Sequence, residues 1–248
     1  MDVLYAIYDG IPRQGPGSNA ATRQAWSLLP DVPPSPGILD IGCGSGIQTL
    51  ELARLSGGRI IALDNHQPYL DALQQRAASE QLAAHIETLN CSMDAMEFAP
   101  GSFDIIWSEG AIYIIGFERG LSVCQPLLKP GGFLVVSHIT WLTADRSPEL
   151  AQFWHDEGVT ICTAAENVQR IEQAGYHCLA HFPLPQAAWW DEFYHLIEQK
   201  LPALRQTYRD DPERLAVVHN QQHEIDLYRM YADQYGYVFY VMRFIGDG

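Results

Sequence analysis

The stretch Ile38-Leu-Asp-Ile-Gly42-Cys-Gly44-Ser-Gly46-Ile-Gln-Thr49 constrains this chain more than any other. It reads as a buried strand, a glycine turn and the start of a helix. Glycine at 42, 44 and 46 removes the Cβ atoms that would keep a ligand off the backbone and permits positive φ, while the first turn of the helix offers N–H groups with no partner inside the helix. Apolar runs then alternate with helix-period segments from about residue 37 to 184, the pattern of βα units laid on a parallel sheet. Strands are predicted at 37–41, 59–64, 85–90, 103–108, 133–138 and 176–182, with a last one at 237–245.

Helix punctuation agrees with this rhythm. Ile47, Leu50, Ala53 and Leu55 outline a short amphipathic helix stopped by Gly57-Gly58, where left-handed caps sit. Thr163-Ala-Ala-Glu166 is a capping box that opens another helix, which ends at Gly175. The segment 185–235 breaks the alternation: Trp190, Phe193, Ile197, Leu201 and Leu204 fall three and four apart, a stripe expected to be core for the most part, with the Trp189/Trp190 end as a candidate pocket wall.

Composition narrows the function. With 30 acidic and 15 basic residues the net charge is −15, which opposes a phosphate backbone, so DNA and bulk RNA are not expected partners and a small neutral or cationic substrate is. No apolar run approaches a membrane span and the N-terminus lacks a signal peptide's pattern, so a cytoplasmic protein with no membrane partner is expected. A homodimer is left open. Cys43, Cys91, Cys124, Cys162 and Cys178 form no C-x-x-C pair and read as buried thiols. No metal site is expected: His219 and His223, four apart, lack the acid and third ligand that a zinc helix needs.

A strand, glycine turn and helix followed by an acid at the end of the second strand, Asp64, also suits a dinucleotide. That reading wants glycine or alanine where this chain has the bulky Ile47, which disfavours an NAD(P)-dependent oxidoreductase. Asp40-Ile-Gly-Cys-Gly-Ser-Gly46 instead resembles the S-adenosylmethionine (SAM) motif of class I methyltransferases. Leu63-Asp64, Ser92-Met93-Asp94, Phe103-Asp104-Ile-Ile-Trp-Ser-Glu109 and Leu128-Lys-Pro-Gly-Gly-Phe133 match that family in order and spacing, so the resemblance covers about residues 37–140. Outside it, Arg13-Gln-Gly-Pro-Gly17-Ser18, Ser108-Glu-Gly-Ala-Ile-Tyr113 and the Trp141 segment resemble a subgroup of mostly uncharacterised bacterial and archaeal small-molecule methyltransferases.

The resemblance implies a Rossmann-like doubly wound α/β fold: a mostly parallel seven-stranded sheet with an antiparallel last strand and a helical insertion before it. It further implies one methyltransferase domain over 1–248, with 1–30 as an N-terminal helical lid segment and 185–235 as the insertion. SAM is the implied co-substrate. Carried over, the pattern puts the SAM aminoacyl end near Asp40, Gly42 and Gly44 in the turn that Gly46 closes, the ribose on Asp64, and the adenine against Asn65, Met93 and Asp94. Ser108 borders the same site, and the segment holding Arg13 and Gly17 closes over the cofactor, with Arg13 or the turn amides facing the SAM carboxylate.

Methyl transfer needs alignment of the acceptor and, for some acceptors, a base. Glu109, Tyr113 and His138, with Trp141 nearby, follow strands four and five and are the catalytic candidates. A histidine merely hydrogen-bonded at a strand end is an equal alternative for His138. Tyr5, Tyr8, Trp189, Trp190 and Tyr194 could form an aromatic lid or pack as core. Small-molecule methyl transfer is therefore the expectation, against an oxidoreductase or a non-catalytic SAM-binding regulatory module.

Overall fold

The computed structural model describes residues 3–246. Its strands are β1 (Gly37–Ile41), β2 (Arg59–Asp64), β3 (Ile86–Asn90), β4 (Phe103–Glu109), β5 (Leu128–Trp141), β6 (Cys162–Thr163), β7 (Tyr176–Pro183) and β8 (Tyr235–Phe244). They form one sheet in the order β3-β2-β1-β4-β5-β8-β7, with β6 paired beside β5. Strands β1 to β5 are parallel, and β8 runs antiparallel to both β5 and β7.

The seven strands expected from sequence are present, and the two-residue β6 adds an eighth. Strand β5 starts earlier than its apolar run implies. Lys129-Pro-Gly-Gly132 reads as a turn, yet it is accommodated as a bulge between the pairs Phe103–Leu128 and Ile105–Phe133, so the ladder resumes beyond it.

Strand alternation divides the interior in two. Ile38, Ile60, Ile105, Trp107, Val135, Ile139, Phe239 and Val241 point to one core. Leu39, Ile41, Leu63, Ile106, Leu134, Val136, Tyr240 and Met242 point to the other, under α5 (Phe117–Cys124) and α7 (Ala164–Gln173). Helices α3 (Ile47–Ser56) and α4 (Gln67–Ser79) enclose a smaller cluster around Leu50, Ala62 and Leu73. The capping box is complete, Thr163 Oγ1 accepting from Glu166 N and Glu166 Oε2 accepting from Thr163 N.

The segment before β8 is helical, as expected. It comprises α8 (Gln186–Trp189), a π-helical stretch over Trp190–Tyr194, α9 (His195–Thr207) and α10 (Pro212–Tyr231). The π stretch re-phases the helix, so that Trp189, 2% exposed, joins Phe193, Ile197 and Leu201 in the core while Trp190 stays half-buried. Trp189 stacks on Tyr228 at 4.4 Å. Helix α1 (Val3–Tyr8) rests against α9 and α10, and the loop after it leads to α2 (Asn19–Ser27), capped by Ser18. No helix among the described residues is long and apolar enough to cross a membrane.

Gly46 closes the turn after β1 with φ +81°, and a Cβ there would lie 2.2 Å from Leu73 Cδ1. Gly46→Ala should therefore cost about 2–5 kcal/mol, from the left-handed backbone and the overpacked leucine together. Urea unfolding measures it, and wild-type stability in this variant would show that α4 does not need the turn side-chain-free.

Candidate active site

The C-terminal ends of β1 to β4 open into a cavity of about 290 Å³. Gly42 and Gly44 floor it from β1, Asp64 and Asn65 from β2, Met93 and Asp94 from β3, and Glu109 to Ala111 from β4, all predicted from sequence except Gly110 and Ala111. Gly42 N and Cys43 N donate to Leu63 O at 2.8 and 3.0 Å, and Gly44 N donates to Asp64 Oδ2 at 2.9 Å. Asp64 Oδ1 accepts from His66 N at 2.9 Å. Two of the carboxylate's roughly four lone-pair sites remain for a ligand. Burial raises the Asp64 pKa, and the His66 and Gly44 amides pull it back. Asp94 Oδ1 is held by Arg119 Nη2 at 2.8 Å at the solvent end.

A strap over the turn, residues 10–17, forms the roof. Gln14, within the Arg13–Ser18 motif but not singled out in it, accepts from Ser45 N at 2.6 Å and donates from Nε2 to Ile11 O at 3.0 Å. A Cβ on Gly44 would sit 2.5 Å from Gln14 Oε1, so the strap lies directly on the glycine backbone.

Arg13 and Glu109 line the cavity but are committed elsewhere. Arg13 is 4% exposed and donates from Nη1 to Glu109 Oε2 at 3.2 Å, from Nε to Glu192 Oε2 at 3.1 Å and from Nη2 to Asn19 Oδ1 at 2.6 Å. Glu109 Oε1 accepts from Thr22 Oγ1 at 2.7 Å and Trp107 Nε1 at 2.9 Å. The pair braces strap, sheet and helical insertion. Its charges are neutralised within the chain: Arg13, expected with the turn amides at the SAM carboxylate, and Glu109, a catalytic candidate, both line the first cavity while held by each other.

A second cavity of about 280 Å³ adjoins the first, sharing the wall formed by Tyr8, Gln14, Gly15, Pro16, Gly110 and Tyr113. Trp154, Trp189, Phe193 and Tyr237 extend that wall, and Glu224 of α10 faces in. Burial raises the Glu224 pKa to about 7 against the hydrogen bond it accepts from Tyr194 Oη at 2.7 Å. Burial likewise pushes the Tyr113 hydroxyl up to about 12. Of the aromatic candidates, Tyr5 and Tyr8 border the first cavity and Tyr8 and Trp189 the second. Trp190 lies under Arg229, 5.0 Å from ring centroid to guanidinium, and Tyr194 is core.

Several predicted residues lie behind the walls. His138 is 3% exposed, stacks on Phe117 at 4.4 Å and borders neither cavity; burial lowers its pKa to about 3. It packs beneath α5, so the structure does not bring it to either cavity with Glu109 and Tyr113. Trp141 is buried against Tyr235. Ser108 Oγ donates to Ile41 O at 3.0 Å, tying β4 to β1. Gly17 N donates to Ala188 O at 3.3 Å, and Gly46 serves the helix rather than the cavity. Asp40 is fully buried under the turn: Oδ2 accepts from Thr49 Oγ1 at 2.6 Å, while Oδ1 has no partner. Burial raises its pKa to about 7, with the charges of Glu109 and Asp64 adding to the rise, against the Thr49 hydrogen bond and Arg13. Cys43, Cys124 and Cys162 are buried as expected, but Cys91 and Cys178 are only half-buried, and Cys91 lines the first cavity. No His/Cys/Asp/Glu cluster suited to a metal occurs among the described residues.

The glycine turn, the acid at the end of β2 and the antiparallel β8 between β5 and β7 give the sheet the Rossmann-like architecture of class I SAM-dependent methyltransferases. Residues 38–132 match the family described as a methyltransferase domain. The chain is 27% identical over 166 residues to a sterol 24-C-methyltransferase of Gibberella zeae, covering 62% of this chain and 43% of that protein. It is 29% identical over 163 residues to a ubiquinone biosynthesis O-methyltransferase of Cereibacter sphaeroides, covering 65% and 58% respectively. The chain thus spans about half the length of these curated relatives. The fold superposes on a SAM-dependent methyltransferase from Thiobacillus denitrificans, crystallised with S-adenosyl-L-homocysteine, at TM-score 0.81 and 17% identity over 98% of this chain and 99% of that one.

Asp40 and Glu224 both hold their protons to about pH 7 in the folded protein, whereas in the unfolded chain they ionise near their ordinary values of 3.8 and 4.5. Their contribution to stability is full below about pH 4 and falls as the pH rises to about 7. Asp40→Asn removes one of the two, so its stability relative to wild type should rise by about 1–3 kcal/mol between pH 5 and pH 8. Urea unfolding at the two pH values checks this; a pH-independent difference would mean that Asp40 titrates normally.

Proposed function

We propose that the protein transfers the methyl group of SAM to a small-molecule acceptor, both ligands being enclosed beneath the strap and the helical insertion. The two cavities joined through Tyr8, Gly110 and Tyr113 carry this reading. One lies over the glycine turn with the acid at the end of β2, and the other is an aromatic cavity of about 280 Å³, a volume suited to a small molecule.

The residues present fit SAM. The side-chain-free backbone at Gly42 and Gly44 leaves room for the ligand, and the two spare lone-pair sites on Asp64 match two vicinal ribose hydroxyls. Asn65, Met93 and Asp94 border the adenine end. Asp40, buried beneath the turn with Oδ1 unpartnered, offers a hydrogen-bonding group below the aminoacyl end. When bound, SAM supplies a methyl group on a positively charged sulfur, already activated for in-line displacement.

The chain's own contribution is alignment and exclusion of water. Gln14 and the Arg13–Glu109 brace fix the strap over the turn, and the insertion closes the acceptor side. Tyr113 stays protonated at physiological pH and works as a hydrogen-bond donor at the junction of the cavities, not as a base. His138, neutral and stacked beneath α5, holds the sheet's far face in place.

Asp64→Ala should weaken SAM binding roughly tenfold to a hundredfold, the cost of about 1.5–3 kcal/mol for lost hydrogen bonds to a charged group. Calorimetry on the folded variant measures it, and unchanged affinity would remove the ribose assignment. A metabolite library scored by S-adenosyl-L-homocysteine release should then yield an acceptor, whose turnover Tyr113→Phe lowers while SAM affinity holds.

A further inference from the structure

The acceptor cavity has a charge of one sign. Its ionisable acids are Glu157 and Glu224, and no Lys, Arg or His contributes to its wall among the described residues. Neither carboxylate belongs to an ion pair among the described residues; Glu157 Oε1 accepts only from Asn220 Nδ2 at 2.9 Å. Glu224 Oε1 is taken by Tyr194, whereas Oε2 has only a long hydrogen bond from Gln221 Nε2 at 3.4 Å.

A half-buried carboxylate such as Glu224 without a cation is costly, and Tyr8, Trp154, Trp189 and Tyr237, which line the same cavity, carry electron-rich rings. Both features attract the same ligand chemistry. Trp189, 2% exposed, also lines this cavity with its indole N–H unpartnered, which suits a ligand carrying a hydrogen-bond acceptor as well. Resting on the methyltransferase reading above, we propose that the acceptor carries an alkylammonium group that docks on Glu224 within these aromatic walls.

The groups that face Glu224 are Tyr194 ahead of α9, Glu157 after α6 (Pro148–Asp156), Tyr8 of α1, Tyr113 after β4, and Tyr235 and Tyr237 of β8. The tyrosines remain neutral across the physiological range, leaving Glu157 as the other charge. Burial and that neighbouring charge hold the Glu224 pKa at about 7. Affinity for a fixed cation therefore falls as the pH drops below 7, when Glu224 takes up a proton.

Choline, whose charge is independent of pH, and its uncharged isostere 3,3-dimethylbutan-1-ol test this. Each is titrated, with tryptophan fluorescence as the signal, into protein saturated with S-adenosyl-L-homocysteine, so that the cofactor cavity is filled. Choline should bind at least tenfold tighter than the isostere at pH 8 and lose most of that preference at pH 6. Glu224→Gln, which can still accept from Tyr194, should weaken choline about tenfold and leave the isostere unchanged, and Glu157→Gln should weaken choline by a smaller factor. Equal affinities for the two probes, or full choline affinity in Glu224→Gln, would overturn the inference while the methyltransferase reading stands. Failure of S-adenosyl-L-homocysteine to bind in calorimetry would overturn that reading and this inference together.

Discussion

The turn after β1 is the point on which the rest depends, because three layers of the protein converge on backbone with no side chain in the way. A Cβ at Gly42 would fall 2.3 Å from that of Ala111, one at Gly44 2.5 Å from Gln14, and one at Gly46 2.2 Å from Leu73. The end of β4, the strap and helix α4 each occupy one of those absent positions. Asp64 then locks the turn to β2 through Gly44 N, so the cavity floor and the α3 N-terminus are set by a few short hydrogen bonds.

The central parallel strands β1, β4 and β5 were legible because they are apolar on both faces, and a strand buried on both faces reads as a continuous run. The β1 turn, the Gly57 cap and the Thr163 capping box were legible for a similar reason: their signals lie within a few residues. Glu109 was legible as a residue at the sheet's working edge but not as a brace, since its partners Arg13 and Thr22 lie 96 and 87 residues away. His138 illustrates a different limit. Its parity with Leu134 and Val136 puts it on the α5 face, and parity gives no sign of which face the cavities occupy. Gln14, in a glycine- and proline-rich loop, and Glu224, on a helix rich in charged residues, had no pattern to separate them from solvated neighbours.

The brace also fixes how the strap lies on the sheet. A guanidinium and a carboxylate, each 4% exposed, would be costly to bury alone, and here each has further hydrogen bonds, so the pair specifies how the strap, β4 and the helical insertion meet. The acidic bias of the whole chain, −15, becomes local in the second cavity, where among the described residues no basic side chain offsets Glu157 and Glu224.

Strand β8 is the last strand in chain order, yet it occupies an interior position between β5 and β7, with Tyr235 through Met242 all buried. During synthesis β5 and β7 therefore leave the ribosome with a slot between them that only later residues can fill. Until then two apolar strand edges stand unpaired, the kind of surface that chaperones hold and that aggregates when they do not. Translation thus sets when the core can close: a nascent chain halted just short of residue 235 has the strands that floor the first cavity and the strap, but lacks the strand that joins the two halves of its sheet.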